Sequence, residues 1–137
     1  MQQVSRTFVR IAQVGFWLAL LLWSWLLLKP NPFPETSKEL ATWGEWATFL
    51  AAKTLHAGCY AVLTLWVWLG WHGRVQKWLF GLVICHAVAS ELGQYLGNQW
   101  YRTGRHGCFR DVLIDWFGVS VMLVVRWLWS RKQPGKR

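Results

Sequence analysis

The sequence predicts an all-α, polytopic membrane protein: a four-helix transmembrane bundle with both termini in the cytoplasm. Three observations lead there. Hydrophobic residues fill 54% of the 137 positions, with 13 Trp and 7 Phe. A soluble domain of this length could not hide so many large apolar side chains. The apolar residues also fall into four runs at about 11–28, 47–69, 78–96 and 112–129, each near the ~20 residues a spanning helix needs. Finally, the basic residues behind the net charge of +9 sit between those runs. That pattern points to anionic lipid headgroups and away from nucleic acid, which would call for a basic face on a polar domain. The whole chain, 1–137, is one domain.

The first run, Ile11–Leu28, follows Arg6 and Arg10 and ends at Lys29-Pro30. It is long for a signal-peptide core and lacks a small-residue cleavage site, so it reads as an uncleaved anchor. Pro30, Pro32 and Pro34 stop the helix. Residues 35–46 read as a short interfacial segment, with Trp43 and Trp46 at headgroup level. The second run, Ala47–Leu69, is interrupted by Lys53 and His56. A basic turn over Gly70–Lys77 leads to the third run, Trp78–Leu96, which carries His86, Ser90, Glu91 and Gln94. A polar loop with Arg102, Arg105 and Arg110 precedes the fourth run, Val112–Trp129. Ser130–Arg137 reads as a disordered basic tail. Cys59 and Cys85 lie in apolar runs and Cys108 in a loop, which is neither a disulfide framework nor a zinc pattern.

Orientation follows from the basic residues. With the N-terminus inside, nine of them face the cytoplasm, counting Arg126 as snorkelling there, against five outside. The loop with three Arg lies on the outer side against this bias. An anionic partner is the simplest reason for it.

Three of the six acidic residues, Glu91, Asp111 and Asp115, stand at the edges of apolar runs, where carboxylates are unfavourable and usually functional. In the N-in arrangement, Lys53, His56, Glu91, Gln94 and Asp115 fall at one depth, roughly 3 to 11 Å above the midplane. Lys53, His56 and Tyr60 share one helix face, as do Asp111, Asp115 and Gly118. The expected result is an inward-facing polar pocket under the outer leaflet. Lys53 and Arg105 would meet an anion there, with Gln94, Asp111 and Asp115 lining the site. His56 and Glu91 are the candidates for acid–base work. Buried ion pairs that only fix the helix packing are the competing reading. His86 reads as a satisfied core histidine. A metal site of His56, Glu91 and Asp115 is a minor alternative that no tight ligand spacing supports, so neither metal nor cofactor is expected.

Lys53-x-x-His56-x-x-x-Tyr60, Glu91-x-x-Gln94, Gly104-Arg105 and Asp111-x-x-x-Asp115-x-x-Gly118, in this order, resemble the VanZ-like family of small bacterial membrane proteins. The resemblance covers Lys53–Gly118. It implies a multi-pass protein of the bacterial cytoplasmic (inner) membrane, a role in the cell envelope, and a link to glycopeptide resistance, after which the family is named. Asp115 stands where the family usually has Asn, and the loop between Gln94 and Arg105 is longer than usual.

Three functions are compatible with these residues. The first is recognition of membrane lipids or a lipid-linked envelope precursor through an anionic headgroup. The second is a membrane-embedded hydrolase or transferase acting on a lipid or polyprenyl phosphate, although no nucleophile motif is present. The third is a proton-coupled small transporter.

Overall fold

A computed structural model describes residues 5–29, 42, 44–101 and 107–132. These form four helices: α1 (Arg6–Leu28), α2 (Glu45–Gly70), α3 (Gly73–Tyr101) and α4 (Phe109–Arg131). All four are long and apolar enough to cross a membrane, with candidate spans of 23, 25, 28 and 23 residues. At ~1.5 Å per residue each reaches beyond a hydrocarbon core about 30 Å thick.

The helices overrun the apolar runs at both ends, which corrects two expectations. The basic turn over Gly70–Lys77 shrinks to Trp71 and His72, because α3 already begins at Gly73. Gln76 in the first turn of α3 is buried. Its side-chain amide donates to the carbonyls of Trp71 at 2.6 Å and Trp68 at 3.2 Å, with Val67 at 3.4 Å. It thus gives a donor to the carbonyls of Trp68 and Trp71 where α2 ends, while Val67 also accepts the Trp71 backbone N–H at 3.3 Å. The predicted disordered tail, in turn, begins as helix. Ser130 Oγ donates to the Trp127 carbonyl at 2.8 Å, and the Arg131 guanidinium stacks on the Trp127 ring at 3.6 Å. The segment 35–46 lies mostly outside the described residues; only Trp46, at the start of α2 and 80% exposed, can be compared.

Packing pairs fix the helix directions. Gln13 Nε2 donates to the Gly70 carbonyl at 2.9 Å, and Trp23 meets His56 and Tyr60, so α1 and α2 run antiparallel. Lys53 pairs with Asp111 and His56 with Asp115, so α2 and α4 run parallel. α2 and α3 form the middle of the bundle. Each touches all the others, whereas α1 and α4 share no packing among the described residues. The core holds Phe16, Trp23, Leu27, Tyr60, Leu63, Val67, Val83, Ala87 and Val119.

The outer surface is apolar too, with Leu18, Leu21, Leu55, Leu92, Phe117 and Val124 exposed along the middle of the helices. Such a surface suits lipid and is unusual on a protein in water. Exposed Trp46, Trp100 and Phe109 ring one end of the bundle, and Trp78, Trp127 and Trp129 the other, as aromatic residues do at membrane interfaces. Not every Trp is an anchor of this kind: Trp23 is 5% exposed and sits in the core.

Candidate functional site

The site is built on the contact between α2 and α4, and a glycine makes that contact. A Cβ on Gly118 would lie 2.1 Å from the Ala57 carbonyl oxygen. Only a residue without a side chain lets the two backbones approach this closely. The approach brings Asp115, one turn earlier on α4, against His56, the neighbour of Ala57. Asp115 Oδ1 accepts a hydrogen bond from His56 Nδ1 at 3.0 Å. One turn further toward the same end, Lys53 Nζ is salt-bridged to Asp111 Oδ1.

The third member comes from α3. Glu91 is buried, and its Oε2 accepts the backbone N–H of Cys108 at 2.8 Å. Gln94 Nε2 donates to Oε1 at 3.4 Å. Gly107 lies so close to the α3 backbone that a Cβ there would meet the Glu91 carbonyl oxygen at 2.0 Å. Gly107 and Cys108 therefore pin the start of α4 onto α3. The same pair of residues holds the end of the Arg-rich loop beside Glu91.

A neutral polar layer lies beneath. His86 Nε2 is 2.8 Å from Ser24 Oγ, and His86 Nδ1 is 2.9 Å from Tyr60 Oη. Ser24 spends its own proton on the Leu20 carbonyl at 2.7 Å. His86 must then donate through Nε2 and accept at Nδ1 from the Tyr60 hydroxyl. Both ring nitrogens are satisfied, so this histidine has no donor or acceptor to offer a ligand.

The upper layer is different. Among the described residues it gathers three carboxylates, Glu91, Asp111 and Asp115, and one ammonium, Lys53. Asp115 is fully buried, and its Oδ2 has no hydrogen-bond partner among the described residues. His56, Glu91 and Asp115 each bring one donor atom to a common point, all within 4.8 Å of one another. Trp23 stands edge-on to the His56 ring, 5.5 Å between centroids. The same indole lines an apolar groove of about 630 Å³ between α1 and α2, together with Leu22, Leu26, Leu55, Gly58 and Val62.

The chain matches no family model, no curated protein and no solved structure. Its site is therefore known by geometry alone. Of the residues singled out in the sequence, Lys53, His56, Glu91, Gln94, Asp111 and Asp115 meet at one end of the bundle. Arg105 lies outside the described residues. Sequence reasoning missed Trp23 and the Cys108 amide. An indole inside an apolar run carries no polar signal, and a backbone donor leaves no trace in residue type. It placed His56, Glu91 and Asp115 at one depth, but their spacing along the chain did not show that their donor atoms lie within 4.8 Å of one another.

Proposed function

We propose that the chain is a VanZ-like, multi-pass protein of the bacterial inner membrane with both termini in the cytoplasm. In this reading it recognises an anionic lipid or a lipid-linked envelope precursor at the outer end of its bundle. The observation that carries the reading is the continuity of the polar cluster with the apolar groove through Trp23. A lipid has the same division, a charged head beside a hydrocarbon chain. Lys53, oriented by Asp111, and Arg105, from the loop pinned at Gly107, supply cations for the head. The groove between α1 and α2 takes an acyl or prenyl chain. Intramembrane charge then has a purpose that repays its desolvation.

The test is lipid analysis of the chain purified in mild detergent. Anionic lipid should co-purify with the parent and fall several-fold in Lys53→Ala and Arg105→Ala. Equal recovery of anionic and zwitterionic lipid in all three proteins would overturn the reading.

One observation favours a second reading, a hydrolase or transferase acting on a lipid phosphate. Asp115 holds His56 by Nδ1, and Nε2 is bonded to none of the described residues. This is how a carboxylate orients an imidazole for general-base work. Release of labelled phosphate from a lipid, lost in His56→Ala, would support it. Binding without turnover supports the first reading.

A further inference from the structure

We infer that His56, Glu91 and Asp115 form a binding site for one divalent transition-metal ion. The inference stands apart from the headgroup reading, since it needs only the chain and the ion. Its first support is the donor set. One imidazole and two carboxylates, from α2, α3 and α4, converge within 4.8 Å. That mixture of nitrogen and oxygen suits Zn²⁺, Co²⁺ or Mn²⁺ better than Ca²⁺ or Mg²⁺, which take oxygen alone. Three protein ligands with further positions open is the arrangement of catalytic metal sites.

The second support is independent of the count of ligands. Asp115 is 0% exposed, yet its Oδ2 has no hydrogen-bond partner among the described residues. A buried carboxylate oxygen without a partner carries the full cost of its lost hydration. A cation in the cluster supplies that partner. It also offsets charge in the layer, where, among the described residues, three carboxylates lie near one ammonium.

Distances fit with a small adjustment. Ligands bound at about 2.1 Å are about 3.4 Å apart in a tetrahedral site and at most about 4.2 Å apart in any geometry. The 3.0 Å between His56 Nδ1 and Asp115 Oδ1 places the carboxylate beside the imidazole, and Oδ2 is the oxygen left to take the ion. Glu91 must close by about half an ångström from the 4.8 Å limit. It does so by giving up the 3.4 Å contact with Gln94 and keeping the Cys108 amide on Oε2. Binding through Nδ1 moves the proton that faces Asp115 to Nε2 of the same ring, so the imidazole stays neutral.

The experiment uses the full chain, purified in detergent and stripped with EDTA, then titrated with Co²⁺ and Zn²⁺. Cys59, Cys85 and Cys108 are replaced by Ala throughout, so that thiols cannot bind the ion. One Co²⁺ per chain is expected, with visible absorption bands of nitrogen–oxygen ligation. Zn²⁺ should displace it. Affinity should drop at least about tenfold in His56→Ala, Asp115→Asn and the milder Glu91→Gln. It should hold within about threefold in His72→Ala and His106→Ala. A thermal melt reports whether each variant is folded, and any folded member of the triad set suffices to judge. Absence of stoichiometric binding in the parent overturns the inference. So does binding that survives in a folded triad variant, or binding lost only with His72 or His106.

Discussion

Replacing Gly118 by Ala tests the contact on which the polar cluster depends. The added methyl would sit 2.1 Å from the Ala57 carbonyl oxygen, where an ordinary carbon–oxygen approach is about 3.3 Å. The obstacle is backbone, so no side chain can swing away. α4 must move off α2 by about 1 Å, which stretches the His56–Asp115 bond from 3.0 Å to about 4 Å, beyond hydrogen-bond reach. Overpacking of this kind costs about 1–3 kcal/mol. The lost bond adds about 0.6–1.7 kcal/mol, the range found between membrane helices. Together these amount to a fall in melting temperature on the order of 10 °C. Gly58→Ala is the matched control, because a Cβ there meets nothing within 4 Å. It should be neutral or stabilising by up to about 1 kcal/mol through helix propensity. Tryptophan fluorescence followed during heating in detergent reports both variants. If Gly118→Ala melts with the parent, the close approach of α2 and α4 is wrong, and the cluster built on it falls.

Four further outcomes are expected. Gln76→Leu should lower stability by about 1–3 kcal/mol, because carbonyls at the end of α2 lose their amide; a denaturant titration measures it. A double-mutant cycle of Lys53→Ala and Asp111→Ala should give a coupling of about 1–2 kcal/mol, since the side chains are only 22% and 14% exposed. Additive effects would refute the pair. Cys108, exposed at the start of α4, should react with a membrane-impermeant maleimide from the outer face of intact cells. Labelling only in inverted vesicles would reverse the orientation. Gly58→Leu should fill the groove and reduce co-purified lipid severalfold while the chain stays folded.

The sequence made the helices legible because hydrocarbon imposes a length on each apolar run. It made the polar stripes legible because charges in such runs stand out. Lys53, His56, Glu91 and Asp115 were therefore visible, and their shared depth followed from counting residues. Pairing was not visible. Whether His56 meets Glu91 or Asp115 depends on the α2–α4 distance, which Gly118 and Ala57 decide together, and no single residue announces such a contact. Helix ends were misjudged for a related reason. Apolar runs report where lipid begins and ends, while hydrogen bonds and caps such as Gln76 carry the helices past that boundary. His86 was readable as a core histidine, but the chain of partners from Ser24 to Tyr60 needed coordinates.

The parallel contact between α2 and α4 also bears on biogenesis. Fifty-eight residues separate Lys53 from Asp111, and α3 must be made between them. A nascent chain that has released α2 and α3 still holds Lys53 without its counter-ion. In the proposed membrane arrangement the ammonium would stay near the aqueous boundary during that interval. The last helix on arrival supplies that counter-ion and packs against both α2 and α3, so a chain truncated before α4 would keep Lys53 without Asp111.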